Sequence, residues 1–144
     1  LIIGKQLSVY KTKARKLTGS NYKEIYKSFF YCFNLIKKKS KRRPYIRSVY
    51  FNREKIFVEL FLPHLNKKLN HRDKVRRMKY FPYAVDLIQN SRADPISKEN
   101  PDRKSEILHR FTGETQAGEI FFVQIKEDKR TGKKWLISVF PLHK

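Results

Sequence analysis

One stretch, Lys104–Pro141, constrains the fold more than any other part of the chain. It reads KSEILHRFTGETQAGEIFFVQIKEDKRTGKKWLISVFP. Apolar residues alternating with a period of two, bounded by polar segments that contain glycine, predict antiparallel strands joined by turns. The strands are expected at Ser105–Phe111, Glu119–Glu127 and Lys134–Phe140. The turns are expected at Gly113–Gly118 and Asp128–Lys134. Strand side chains alternate between faces, so Phe121, Val123 and Ile125 point one way and should meet the core. Ile120, Phe122, Gln124 and Lys126 point the other way. On the first strand Ile107, His109 and Phe111 oppose Glu106, Leu108 and Arg110. On the third, Trp135, Ile137 and Val139 oppose Leu136, Ser138 and Phe140. A sheet that is apolar behind and carries His, Arg, Gln, Lys and Ser in front is either a platform for polar chemistry or a solvated outer face.

Upstream, Leu1–Val9 has an apolar start followed by the basic stretch Lys11–Lys16, and a short strand or an arm is expected there. A helix follows. Asn21 and Glu24 stand in capping-box relation, with Ser20 as the rival cap. Ile25, Phe29, Cys32, Phe33 and Ile36 recur at helical spacing and give it one apolar face. Pro44 stops any helix at Arg43, because the residue before proline is pushed out of the helical region. The change in composition there predicts a basic N-terminal arm and helix over 1–43 and a main domain over 44–144. Within the latter, a strand pair is expected at Tyr45–Phe51 and Lys55–Leu60, turning at Asn52-Arg53-Glu54. Helices are expected at Phe61–Asn70, His71–Tyr80 and Pro82–Asn90, and a loop over Ser91–Arg103.

The 144 residues carry a formal charge of +21. Self-repulsion on that scale opposes compaction, so a polyanionic partner is the natural counterpart, and nucleic acid fits better than a membrane. No apolar run approaches the roughly 20 residues a membrane-spanning helix needs. Hydrophobic content of 40% separates the chain from disordered polycations. A single cysteine, Cys32, rules out a disulfide framework and a cysteine-rich zinc site. Six of the seven residues Lys37, Lys38, Lys39, Ser40, Lys41, Arg42 and Arg43 are cations, more than a helix C-terminus requires. They form either a solvated linker or a phosphate-binding patch.

Two chemistries can be written for a nuclease here. Gln124-Ile125-Lys126 echoes a Q-x-K variant of the PD-(D/E)xK nucleases, with Asp102 or Glu106 upstream as the acid that holds Mg2+. Cleavage of RNA without metal or other cofactor needs different groups. A base takes the ribose 2′-OH proton, an acid protonates the leaving 5′-oxygen, and cations stabilise the phosphorane-like transition state. The helical zone offers His64, His71, Arg72, Lys74, Arg76 and Arg77. The sheet offers His109, Arg110 and Lys126, with Thr112, Thr115 and Ser138 as hydroxyl donors. On one helix Arg72 and Arg76 share a face, with Arg77 beside them, and His64 and Lys68 stand in the same relation. Each of these residues also has a plain structural reading, as a salt-bridged cation or a packed histidine. A non-catalytic nucleic-acid-binding protein is the alternative of a different class.

The order of parts is familiar. Phe61–Leu65 (FLPHL), Asp73–Arg77 (DKVRR), His109–Thr115 (HRFTGET), Phe122–Lys126 (FVQIK) and Trp135–Pro141 (WLISVFP) follow one another. Over about residues 45–141 the chain resembles the phage- and plasmid-associated branch of the BECR superfamily, the barnase, EndoU, colicin-tRNase and RelE-like endoribonucleases. The resemblance implies an α+β fold: a curved antiparallel sheet with helices packed on one side, preceded here by a basic helical extension. It implies a metal-independent site combining His64 with Arg76 or Arg77, then His109, then Ser138. Arg72, Lys74, Arg110, Lys126 and the Lys37–Arg43 cations would bind the RNA, tRNA being one candidate. Many members of the superfamily are toxins or mobile-element effectors acting in the cytoplasm, some delivered within a longer chain. An acidic immunity protein or antitoxin would then be the matching partner.

Overall fold

Among the described residues the alternating C-terminal strands become the centre of a seven-stranded sheet. The structure, a computed structural model, describes residues 9–68 and 70–142, Lys68 by its backbone alone. The expected N-terminal strand therefore lies outside the described residues except at its end, and so does the pairing of His64 with Lys68. The elements run β1 (Val9–Lys11), α1 (Tyr22–Lys39), β2 (Tyr45–Ser48), β3 (Glu54–Phe57), α2 (Phe61–Lys68), α3 (His71–Lys79), α4 (Phe81–Asn90), β4 (Ile96–Asn100), β5 (Arg103–Glu114), β6 (Ile120–Asp128) and β7 (Lys134–Pro141). Across the sheet the order is β1-β5-β6-β7-β3-β2, and β4 also pairs with β5.

The fold is α+β, with a curled, half-barrel sheet. Its centre, β5-β6-β7, is antiparallel, as the alternation predicts. The sheet as a whole is mixed, because β1 joins β5 and β3 joins β7 in parallel. Both parallel pairings bring together segments far apart in sequence, and no local pattern announces them. The segment expected to be a loop over Ser91–Arg103 contains β4. Its sequence, ISKEN, is largely polar because the strand is exposed along most of its length. The β2–β3 turn begins earlier than the sequence puts it, covering 49–53 with Glu54 already in β3, and it includes the expected Asn52 and Arg53 at φ of 55° and 66°.

Of the two candidate caps of α1, Asn21 is the one in use, and Ser20 serves as a donor to Glu24. Asn21 Oδ1 accepts from the Glu24 N–H at 3.0 Å, and Glu24 Oε1 accepts from the Ser20 N–H and hydroxyl, each at 2.8 Å. Its apolar face is core. Ile25 and Phe29 are both 0% exposed. The Phe29 ring stacks on Phe61 at 5.7 Å and meets Phe81 edge-on at 4.8 Å, joining α1 to α2 and α4. Packing therefore shows no separation at Pro44, because the helix upstream of it fills the same core as the chain downstream. The N-terminal segment is latched to α4 as well. Asp86 Oδ2 accepts from the Tyr10 hydroxyl at 3.0 Å, the Thr12 hydroxyl at 2.7 Å and the Lys13 N–H at 3.2 Å. Burial and then Asp86 push the Tyr10 pKa up to about 12.

Core strands meet the helices through aromatic rings. Phe121 is fully buried and stacks on Tyr83 of α4 at 5.1 Å. Gly113, expected to open a turn, instead pairs with Phe121 inside the β-ladder. A Cβ on Gly113 would stand 2.2 Å from Phe121 Cζ, so only glycine leaves room for the ring. Among the described residues no helix is long and apolar enough to cross a membrane.

Phe29→Ala should cost about 3–5 kcal/mol, the usual range for removing a buried phenylalanine. A 44–144 fragment, lacking α1, should lose cooperative unfolding in urea. A fragment that unfolds with the full chain's midpoint would show that α1 is an appendage.

Candidate active site

Two faces of the same strands carry two separate polar groups, and a single irregularity in β7 decides which residue joins which. Gln124 pairs with Ser138, but Ile125 pairs with Leu136, so Ile137 is the extra residue of a bulge. Before the bulge Lys134 and Leu136 turn inward and Trp135 outward. After it Val139 turns inward, and Ser138 and Phe140 share the outer face with Gln124 and Phe122. The expected grouping of Leu136 with Ser138 and Phe140 is thus corrected. Leu136 is fully buried in the core.

On the outer face the sheet, α2 and α3 bound a cleft of 370 Å³. His64 enters it from α2, Arg77 from α3, Ser138 from β7, and Gln124 and Lys126 from β6. Asp102 and Glu106 line the same cleft. Arg77 Nη1 donates to Ser138 Oγ at 2.7 Å, and the guanidinium lies over the Phe140 ring at 5.0 Å. Burial lowers the Arg77 pKa, Asp73 works against that shift and Arg76 adds to it. Arginine stays cationic under such shifts, so a desolvated positive charge faces the cleft. Lys126 Nζ is 3.5 Å from Glu106 Oε2 and 5.3 Å from the centre of the Trp135 ring. Glu106 is also held by Arg103 at 3.7 Å and by the Asn100 amide at 3.1 Å. Arg110 lies on the same face, 5.4 Å from the Phe122 ring and 5.5 Å from Phe140.

His109 is elsewhere. Its partner across the ladder is Ile125, a core residue, so it points to the other side of the sheet and is only 7% exposed. The ring is pinned between the Ser97 hydroxyl at Nδ1 (2.6 Å) and Glu127 Oε1 at Nε2 (2.7 Å), with Phe51 edge-on at 5.0 Å. The histidine thus ties β4, β5 and β6 together. Beside it the Lys134 ammonium reaches Glu54 at 2.5 Å, the Gly132 carbonyl at 3.0 Å and Glu127 at 3.9 Å, closing β3 onto β7. Both are buried charges or dipoles supplied with partners, as stability requires.

The remaining expected residues are dispersed. Arg76, one position before Arg77, lines a different hollow together with Arg72, Lys16 and Lys79. Lys74 sits half-buried on α3. His71 packs its ring 4.8 Å from Tyr22. Lys37, Lys38 and Lys39 end α1. Lys39, Lys41, Arg42 and Arg43 line a second 370 Å³ hollow with Tyr45, Lys55 and Phe57. Arg43 is ion-paired with Glu59 at 2.6 Å. A larger hollow of 640 Å³ between α1 and α4 holds no histidine, and its Asp86 is already engaged by Tyr10 and Thr12.

From the sequence Glu106 is a candidate only as a metal ligand. Its place in the cleft follows from strand parity, since it lies on the face opposite His109 and on that of Leu108 and Arg110. Comparison with known protein families, with curated proteins and with solved structures gives no match.

His109→Ala should lower stability by about 1–3 kcal/mol, because it strands buried polar partners, and should leave nucleic-acid affinity intact. Thermal denaturation and a binding titration check this together. An unchanged melting temperature with lost function would return His109 to the site.

Proposed function

We propose that this protein binds RNA on its outer sheet face and cleaves it without metal in the His64–Arg77–Ser138 cleft. The observation that carries the reading is the convergence itself. Groups from α2, α3, β6 and β7 meet in one hollow, among them the hydrogen-bonded pair Arg77–Ser138, 61 residues apart in sequence. The BECR-like order of parts supports it, and so does the +21 charge.

The reaction needs two proton positions, and the cleft holds two suitable groups. A carboxylate and an imidazole are both competent general acid–base catalysts near neutral pH. Glu106 takes the 2′-OH proton as the 2′-oxygen forms its bond to phosphorus. His64 gives a proton to the 5′-oxygen as the P–O5′ bond breaks. The products are a 2′,3′-cyclic phosphate and a 5′-hydroxyl, and no redox partner or cofactor is needed. Arg77 and Lys126 offset the extra charge on the phosphorane. Ser138 fixes the Arg77 guanidinium by accepting its hydrogen bond.

One observation favours a second reading. Asp102, Glu106, Gln124 and Lys126 line the same cleft, so the parts of a Q-x-K nuclease site are adjacent. The donor set fits a metal poorly. Among the described residues no group of three or more His, Cys, Asp and Glu is placed to hold a metal ion.

Incubation with RNA in EDTA, followed by analysis of product ends, separates these readings. Cleavage should persist and leave a 2′,3′-cyclic phosphate. His64→Ala should reduce the rate by roughly 10²–10⁴, the usual contribution of a general acid or base. Arg77→Ala should lower both rate and affinity, since phosphate contacts act in ground and transition states alike. Strict Mg2+ dependence with a 5′-phosphate product would select the Q-x-K site. Tight binding with no cleavage would select a non-catalytic RNA-binding protein.

A further inference from the structure

The strand register lines up three aromatic residues across the outer face. Tyr45 of β2 lies opposite Phe57 of β3, Phe57 opposite Trp135 of β7, and Trp135 opposite Lys126 of β6. The row ends at Lys126, which also lines the cleft. Neighbouring rings are 6.4 Å apart for Tyr45–Phe57 and 6.3 Å apart for Phe57–Trp135. All three residues are half-buried. Cations flank every one: Lys55 and Arg47 at Tyr45 (4.7 and 5.3 Å), Arg43 at Phe57 (4.2 Å) and Lys126 at Trp135 (5.3 Å). The basic hollow lined by Lys39, Lys41 and Arg42 adjoins the Tyr45 end.

We propose that this row is a stacking track for single-stranded RNA, leading a strand from the Lys39–Arg43 hollow across β2, β3 and β7 into the cleft. It rests on the reading of that cleft as an RNA site and adds the strand state and the path. Aromatic rings and arginine planes interleaved with cations match the two repeating chemistries of a single strand, exposed base faces and phosphates. A duplex offers only its phosphates to such a surface, because its base faces are stacked on one another. Arg43, paired with Glu59 and lying over Phe57, presents its own guanidinium plane for a base to stack on.

Trp135 is the only tryptophan in the chain, so its fluorescence reports this surface alone. The full chain is titrated with a single-stranded 2′-O-methyl oligonucleotide, which 2′-OH attack cannot cleave. The same strand annealed to its complement, and heparin, serve as comparison. Binding is followed independently by anisotropy of a label on each ligand. The single strand should change Trp135 emission on binding, while duplex and heparin should bind by charge and leave it nearly constant. Tyr45→Ala and Phe57→Ala should each weaken single-strand binding roughly tenfold, the loss of one stacked base. An equal Trp135 response to heparin or duplex, or single-strand binding with none, would overturn the track. Cleavage of ordinary RNA is scored in parallel. Cleavage with a silent Trp135 overturns the track alone, and a Trp135 response specific to the single strand without cleavage supports the track while overturning the ribonuclease reading.

Discussion

The way the helices reach the cleft depends on the aromatic contact between Phe29, Phe61 and Phe81. A sheet that is polar on one face can be stable only if its other face is thoroughly covered. Here α1 and α4 supply the cover, and Phe29 links α1 to both α4 and α2. α2 carries His64, and α3, separated from α4 only by its cap residue Tyr80, carries Arg77. Side chains held by packed helices keep a fixed geometry toward a strand, which a loop-borne site does not. A basic segment that composition alone marks as an extension is therefore the clamp that sets the geometry of the cleft.

The second constraint is the bulge at Ile137. A strand in unbroken alternation cannot place both Leu136 in the core and Ser138 in the cleft on opposite sides. One extra residue makes that possible and turns the Ser138 hydroxyl toward Arg77. The sheet then keeps its two polar systems apart. On the inner side Ser97, His109, Glu127, Lys134 and Glu54 tie strands together and are satisfied by one another. On the outer side Arg77, Arg110 and Lys126 lie against aromatic rings, with charge left over for an anionic ligand.

Much of this was legible in the sequence, for reasons that also explain the gaps. β5, β6 and β7, the core role of Phe121, Val123 and Ile125, the Asn21 cap of α1 and the presence of a turn at Asn52-Arg53 are local signals, and local patterns reveal them. β4 was hidden because ISKEN is exposed and carries no apolar alternation. The parallel β1–β5 and β3–β7 pairings were hidden because they join distant segments. Alternation puts His109 on the face of Phe111, but its side of the sheet follows only from pairing with Ile125, a register that no single strand states. The bulge at Ile137 leaves no mark in composition. Three of the five residues expected to be catalytic, His64, Arg77 and Ser138, do meet, whereas Arg76 misses by one position on its helix, a turn of about 100°.

The central claim is that function resides on the outer face and that the His109 group is structural. Amide and side-chain chemical-shift mapping by NMR with an uncleavable single-stranded RNA analogue tests it most directly. The account predicts that shifts concentrate at Arg77, Gln124, Lys126 and Ser138, extending toward Trp135 and Phe57, while Ser97, His109 and Glu127 stay still. Shifts centred on Ser97, His109 and Glu127, with the Arg77–Ser138 cleft unmoved, would contradict it.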